Sequence, residues 1–435
     1  MIGDTLDVTI EKPVYGGDCL AHHAGQAIFV PFVLPGERVT ITIREEKRTF
    51  ARGELVTLQQ SSPLRVEPRC VHFGQCGGCH WQHMDSGAQL SDKQAILAEA
   101  LHRAGVQAVV PIQTLSTEPW AYRNRARFAV QSASEGNGFQ LGYRERSSRR
   151  MIAVTECPIA APILLPSASL VAQALQSCNC LHAIEEIEAM TTPGEDAVLV
   201  TLLVQTQNEA TRLDPILPRI LQQAGGRICG IAVAVRNADE QMRIVARAGD
   251  TTLHYTVGTT AYTVPSGAFF QGNRWLLEPF RDWVTRDAKG ETAWDLYAGV
   301  GFFAQVLEQH FASVIAVEAA EPSFAVLQNS LRNPRSKAVR ATTVEFLEQN
   351  RLQREPAPDW IVLDPPRAGL EAKACALLNA IHAPRMTYVS CDPITMARDL
   401  KALTAERFQI DSLLLVDLFP QTFHFESVVQ LSRRR

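Results

Sequence analysis

The chain has 435 residues, 46% of them hydrophobic and 20% charged, with a formal net charge of −4. That length accommodates roughly two to four domains with cores of their own, and the composition excludes disordered and fibrous classes. No apolar run reaches the roughly 18 residues of a membrane span, no basic-then-apolar region opens the chain, and the charge excludes a protein held on nucleic acid by bulk electrostatics alone. A cytoplasmic protein is the expectation.

In chain order, residues 1–60 read as short strands at 6–10, 27–33, 38–43 and 53–58, separated by glycine and proline, the pattern of a small β-barrel. Ser61-Ser62-Pro63 marks a boundary. A cysteine-rich segment runs from Cys70 to about His83, and a polar helix is expected over 85–104. From Tyr122 to about Val257 the pattern is mixed, with strands at 195–206 and 230–236 between amphipathic helices. After Gly258, buried strands at 293–296, 313–318, 359–364, 385–390 and 413–418 alternate with helices. That alternation predicts a doubly wound parallel sheet whose ligands bind at the carboxyl ends of the strands. The expected division is 1–60, 61–257 and 258–435, part of the 85–121 segment packing on the last unit.

Charge is distributed unevenly. Arg123, Arg125 and Arg127 alternate within YRNRARF and share one face if this is a strand. Arg144, Arg146, Arg149 and Arg150 follow. Taken alone, these read equally as a solvated charged face or as a track for phosphates.

The ten cysteines of a chain without a secretory signal argue against a disulfide framework. Cys70, Cys76 and Cys79 lie in CVHFGQCGGC, with Cys157 far downstream. Three thiolates at close spacing and a distant fourth suit either tetrahedral zinc or an iron–sulfur cluster. Cys178 and Cys180 could form a further ligand pair or simply fill space.

Asp295-Leu296-Tyr297-Ala298-Gly299-Val300-Gly301 ends a strand in a glycine turn that opens into a helix, so backbone can approach a ligand closely. Glu318 ends the next strand, where an acid accepts both hydroxyls of a ribose. The third glycine of a dinucleotide fingerprint is missing, which favours S-adenosylmethionine over NAD. Asp364-Pro365-Pro366-Arg367 closes another strand with a rigid mouth; Arg367 stands where an amino-group methyltransferase would have an aromatic residue. Cys391 follows a buried strand in Ser-Cys-Asp-Pro, a thiol nucleophile or a small core residue. Glu426 follows the alternating aromatics of Phe419, Phe423 and Phe425, where burial would make a carboxylate unusually basic. A surface acid on an edge strand is the other reading.

At these residues the chain resembles the RNA (uracil-5-)-methyltransferase family, almost end to end. The matching phrases are CGGCHWQHM with Gln89-Leu90 and Lys93, YRNRARF, LGYRERS followed by Glu156-Cys157-Pro158, GAFFQGN, DLYAGVG, LDPPRAGL, YVSCDP and LFPQTFHFESV. The first residues resemble a TRAM domain, opened by Gly16-Gly17 and marked by VPFVLPGE. TRAM with a cysteine site is similar to the 23S ribosomal RNA branch rather than to the bacterial transfer-RNA enzymes, which lack both. The sequence departs from the family at Asp392, often asparagine, at Phe302, often polar, at Ala268, usually serine, and at Gly272, usually larger.

The resemblance implies a Rossmann-like methyltransferase domain, an OB-like TRAM barrel and a central α+β domain with a [4Fe-4S] cluster on Cys70, Cys76, Cys79 and Cys157. It also implies S-adenosylmethionine contacts from Gln271, Tyr297, Glu318 and Asp364, with Cys391 as nucleophile and Glu426 as base. The implied partner is 23S rRNA, with no DNA and no membrane, and the implied state is a monomer. Phe269 and Phe270 become candidates to stack on bases, and the Cys391 thiol is expected to be acidified by local donors or a nearby sulfonium. A radical methylthiolation enzyme is disfavoured by the cysteine spacing, and an RNA cytosine-5 enzyme by the lack of Thr-Cys and Pro-Cys phrases. The same chemistry on tRNA, or a non-catalytic RNA-binding iron–sulfur module, are the alternatives.

Overall fold

In a computed structural model the described residues are 2–106, 110–132, 138–146, 148–236, 242–353 and 356–434; Ser147, which ends LGYRERS, lies outside them. The first unit is a six-stranded sheet of Thr5–Thr9, Lys12–Pro13, Cys19–His23, Gln26–Val30, Arg38–Glu46 and Phe50–Gln60. Its spatial order is first, fifth, sixth, fourth, third, second. Val39, Ile41 and Ile43 alternate inward and join Val8, Ala21, Ile28 and Ala51 in one core, as period-2 patterning requires. The first strand touches the third across that core, so the sheet curls back on itself. Two of the six strands carry no β-branched residue and were not legible in the pattern. The strand expected over 27–33 stops at Val30, where Pro31 lacks an N–H and Phe32 turns to φ 61°.

Asp85 caps the helix Ser86–Ala104 by accepting from the Gly87 and Ala88 amides, and Gly105 ends it at φ 76°. Its buried stripe is Gln89, Lys93, Ile96, Leu97, Ala100 and Leu101, three and four apart as an amphipathic helix demands. Leu97 and Leu101 enter the core of the C-terminal sheet. The strand Ile112–Leu115 then pairs in parallel with Phe408–Val416 at the sheet's edge.

The central sheet has seven strands, ordered Met151–Ala153, Phe139–Arg144, Arg125–Ser132, Glu186–Thr191, Val198–Val204, Ile228–Arg236 and Met242–Gly249. Helices Leu164–Ser177 and Leu217–Ala224 bury Leu164, Val171, Leu175, Leu217 and Ile220 against it.

The C-terminal sheet has eight strands, ordered Lys337–Arg340, Phe311–Glu318, Gly290–Leu296, Trp360–Leu363, Arg385–Ser390, Glu426–Arg433, Phe408–Val416 and Ile112–Leu115. It is not wholly parallel as expected. Glu426–Arg433 inserts antiparallel between Arg385–Ser390 and Phe408–Val416. The strand order reverses between Gly290–Leu296 and Trp360–Leu363, which opens a crevice at their carboxyl ends. Because Glu426–Arg433 runs the other way, its first residue arrives at that same edge.

Candidate active site

Tyr297, Glu318, Asp364 and Cys391 stand at or just after the carboxyl ends of four parallel strands. Glu426 begins the antiparallel strand between the strand before Cys391 and its neighbour. The register pairs Ser390 with Ser427. Cys391 directly follows and Glu426 directly precedes that pair, and the Glu426 carboxylate is near enough to act on the Cys391 thiol. Asp392 caps the following helix, Pro393–Glu406, by accepting from the Ile394 and Thr395 amides at 2.9 Å each.

Burial pushes the Cys391 thiol up to about 12; Glu426 adds to the rise, Arg367 opposes it and Asp364 reinforces it. The expected acidified thiol is therefore not produced by the protein's own groups. Glu426 is buried, its Oε2 has no hydrogen-bond partner, and burial followed by Asp364 raises its carboxyl well above the usual range, with Arg367 opposing. Burial also moves Asp364 to about 7 and Asp295 to about 8, the latter helped by Asp364. Both Asp295 carboxylate oxygens are buried and unpartnered.

Mutually repelling acids beside a thiol form a site that a cation would relieve. A sulfonium is such a cation, and its binding would favour the ionised forms of Cys391 and Glu426 together. The turn takes left-handed backbone at Tyr297 (φ 70°), Gly299 (57°) and Gly301 (89°). A side-chain carbon at Gly299 would meet nothing within 4 Å, which leaves room for a ligand there, whereas at Gly301 it would meet Leu327 at 3.0 Å. Glu318 accepts from the Gly299 amide at 2.8 Å and the Ala320 amide at 2.6 Å, which fixes its carboxylate beside the glycine turn. Gln271 places Nε2 3.5 Å from Asp364 Oδ2 and gives its carbonyl to Asn124 Nδ2. All the residues expected to meet the methyl donor thus converge at one sheet edge.

The loop before Glu426 is held from several directions. Lys93 Nζ, fully buried, donates to Asp417 at 2.6 Å and to the Phe419 carbonyl at 3.2 Å. Tyr122 donates to the Pro420 carbonyl, Asn273 to the Leu418 carbonyl, and the His80 and Trp81 amides to the Gln421 carbonyl. Gln421 itself sits at φ 69°.

Cys70, Cys76, Cys79 and Cys157 line one cavity of about 60 Å³ with Arg123, Tyr143 and Glu156, and all four are free thiols. The Gly77 amide donates to the Arg144 carbonyl, and Cys76 bridges to Glu145, tying the cysteine loop to the central sheet. Among the described residues no group of three or more His, Cys, Asp or Glu side chains is positioned for a single metal ion. The donor chemistry of four thiols on one cavity nevertheless fits a multi-iron cluster, in which each thiolate binds its own iron. Cys178 and Cys180 lie elsewhere, beside the central core.

Two expectations about RNA contacts change. Arg125 and Arg127 both pair with buried Glu188, at 2.6 and 2.8 Å, and Arg146 pairs with Asp18 at 2.5 Å. These arginines are committed to ion pairs and do not form a free phosphate track. Phe270 is buried against Tyr255, Tyr262 and Phe302, so only Phe269, 62% exposed, remains available to stack. Phe302, a departure from the family, belongs to that aromatic core. Ala268, another, is buried and gives its carbonyl to Arg125. Gly272 has room: a side-chain carbon there would meet Phe419 at an ordinary 3.8 Å. Asp295 and Tyr15 also stand at this edge, though the sequence did not single them out as site residues. Asp295 reads as a strand end until its burial is seen, and Tyr15 is 376 residues from Cys391.

Fold and site define a Rossmann-like methyltransferase with an N-terminal barrel. The profile described as tRNA (uracil-5-)-methyltransferase matches residues 85–434, and a TRAM domain profile matches residues 1–56. The chain belongs to this RNA uracil-5-methyltransferase family. It is 30% identical to an uncharacterized RNA methyltransferase of Nitratidesulfovibrio vulgaris, over 99% of this chain and 97% of that protein. It is likewise 30% identical to the 23S rRNA (uracil(1939)-C(5))-methyltransferase RlmD of Pectobacterium carotovorum, over 97% of this chain and 93% of that one. Among solved structures, the Pyrococcus abyssi tRNA (uracil-54, C5)-methyltransferase with S-adenosyl-L-homocysteine superposes with a TM-score of 0.77. That match, at 22% identity, covers 98% of this chain and 100% of that one and speaks to fold. Among the described residues no helix is long and apolar enough to cross a membrane.

Proposed function

We propose that this enzyme methylates carbon-5 of one uridine in 23S rRNA, at the site corresponding to uracil 1939 named for its relatives. The observation that carries the reading is that the Cys391 thiol and the buried Glu426 carboxyl flank the Ser390–Ser427 pair at the carboxyl edge, with Asp364 close to both. Residues 1–60 serve as the RNA-binding barrel, 61–257 as the central domain and 258–435 as the methyltransferase domain, with the helix Ser86–Ala104 packed on the last.

S-adenosylmethionine, when bound, supplies the methyl group; Gln271, Tyr297, Glu318 and Asp364 would hold it. Carbon-5 of uracil is a poor nucleophile in the resting ring. The Cys391 thiolate adds to carbon-6, and the pair of electrons displaced from the ring double bond makes carbon-5 nucleophilic. After the methyl group is taken up at carbon-5, Glu426 removes the proton from that carbon. Elimination of Cys391 restores the double bond, leaving 5-methyluridine and S-adenosylhomocysteine. Both ring faces must be reachable, so the base has to leave its stack, at a cost of a few kcal/mol.

Cys70, Cys76, Cys79 and Cys157 would hold a [4Fe-4S] cluster. The reaction transfers no electron, so the cysteine loop's part is to anchor structure. Its next residues, His80 and Trp81, grip Gln421 in the loop before Glu426.

The test incubates protein with methyl-labelled S-adenosylmethionine and either unmodified 23S rRNA or bulk tRNA, with Cys391→Ala as control. Label in 5-methyluridine from 23S rRNA, lost in the variant, is the expected result. Label from tRNA alone would overturn the target, and label from neither would return the chain to a binding module.

A further inference from the structure

We propose that Tyr15, from the N-terminal barrel, is a positioning residue of the catalytic pocket, so that the barrel completes the active site as well as gripping RNA. The inference rests on the reading of Cys391 as nucleophile. Tyr15 lies in the turn after the barrel's second strand. That turn is closed by hydrogen bonds from the Val14 amide to the Asp18 carbonyl and from the Gly17 amide to the Val14 carbonyl.

Gly16 and Gly17 take φ 116° and 94°, which side chains rarely tolerate. At Gly17 there is a second reason for glycine. A side-chain carbon would stand 2.9 Å from His80 and 3.0 Å from Phe423, so the turn lies flat against the cysteine loop and the loop before Glu426. The Gly17 carbonyl accepts from Trp81 Nε1 at 3.2 Å, which locks the approach.

With the turn so fixed, Tyr15 reaches both catalytic loops. Its hydroxyl donates to the carbonyl of Cys391 at 3.3 Å. Its ring meets Phe423 edge-on at 5.3 Å and Phe425 at 6.3 Å, and Phe425 immediately precedes Glu426. One half-buried side chain thus spans from the main chain of the nucleophile to the residues that deliver the base. Burial, and the Asp392 carboxylate that shares the hydroxyl's hydrogen bond, raise the phenol far above its ordinary range. The hydroxyl therefore remains a donor throughout the working pH range, between the Cys391 carbonyl and Asp392. Holding the Cys391 carbonyl fixes where the thiol points, and small displacements of a reacting group carry large rate penalties.

Tyr15→Phe keeps the ring and removes only the hydroxyl. The full-length variant would be compared with the wild type in two assays on 23S rRNA. One is steady-state methyl transfer, and the other is the rate of denaturant-resistant complex formation with RNA carrying 5-fluorouridine, whose fluorine cannot be removed as a proton. A roughly ten-fold fall in kcat and in the trapping rate, the loss expected from one hydrogen bond, with KM for RNA within about two-fold of wild type, supports the proposal. The thermal unfolding midpoint should fall by no more than a few degrees, as the loss of one hydrogen bond implies. A rise in KM alone would make the barrel an RNA grip only and overturn it, as would wild-type behaviour in both assays. If the wild type itself formed no trapped complex, the nucleophile reading would fall and take this inference with it; the two failures are therefore distinct.

Discussion

Gln89 holds Gln421 by two hydrogen bonds: its Oε1 accepts from the Gln421 main-chain amide at 2.9 Å, and its Nε2 donates to Gln421 Oε1 at 3.1 Å. The two protons of Nε2 are shared among Gln421 Oε1 and the carbonyls of Trp81 and Met84, at 3.0 and 2.9 Å. A single buried amide therefore joins the first long helix, the cysteine loop and the loop that leads to Glu426. It also holds Gln421 in its left-handed conformation, which costs energy in any residue but glycine.

Gln89→Leu should strip these partners while keeping the volume. Leaving buried donors and acceptors unpaired costs on the order of 1–3 kcal/mol each, and a lowered midpoint in denaturant unfolding would show it. The catalytic consequence is more specific. Glu426 should be displaced more than Cys391, so protein–RNA adduct should form at near wild-type rate but resolve slowly. A variant that resolves its adduct normally would show that this clamp does not position the base.

The acid cluster predicts how stability responds to pH. The folded carboxyls of Asp295 and Asp364 titrate near 8 and 7, above the roughly 3.9 of an unfolded aspartate. Groups raised on folding contribute stability that is fully present below the unfolded value and lost as pH rises through the folded one. Burial lowers His80, His83 and His424, whose contribution rises with pH up to the roughly 6.5 of an unfolded histidine. The decline from the two carboxyls should therefore show above that value, the ligand-free protein melting at progressively lower temperature up to about pH 8. Asp295→Asn should flatten that decline, and S-adenosylmethionine should raise the melting temperature most at the alkaline end. A profile of wild type and variant that coincided across this range would contradict the buried, unpartnered carboxyl.

For the cysteine cavity the prediction is compositional. Protein purified without oxygen should contain iron and acid-labile sulfide in equal amounts, and Cys79→Ser should lose most of both. Removing the cluster with a chelator and oxidant should loosen the 70–83 segment and, through His80 and Trp81, the loop at Gln421. Protease cleavage sites mapped by mass spectrometry would report it. Zinc in place of iron, or unchanged protease resistance after removal, would reject this account of the site.

Much of the fold and site could be read from the residues, because local rules governed them. The helix expected over 85–104 forms as Ser86–Ala104, although its cap at Asp85, buried stripe and stop at Gly105 emerge only in the fold. The glycine turn after Asp295 and the acid at Glu318 marked the crevice through strand-end chemistry alone. What stayed hidden depended on tertiary partners. Glu426–Arg433 looks like other buried strands, and nothing local says that it runs antiparallel between two strands of earlier sequence. Arg125 and Arg127 looked free because Glu188, which neutralises both, lies on the neighbouring strand. Phe269 and Phe270 are adjacent and chemically identical, and only packing separates the exposed ring from the buried one. The Cys391 thiol is raised by burial and by Glu426, neither of which a Ser-Cys-Asp-Pro phrase contains.

The most direct test of the account uses Glu426→Gln with methyl-labelled S-adenosylmethionine and unmodified 23S rRNA, analysed on denaturing gels. If Cys391 attacks first and Glu426 later removes the carbon-5 proton, label should accumulate in a covalent protein–RNA complex, and digestion should place the bond at Cys391. Release of free 5-methyluridine at the wild-type rate, with no labelled complex, would contradict the division of labour between Cys391 and Glu426.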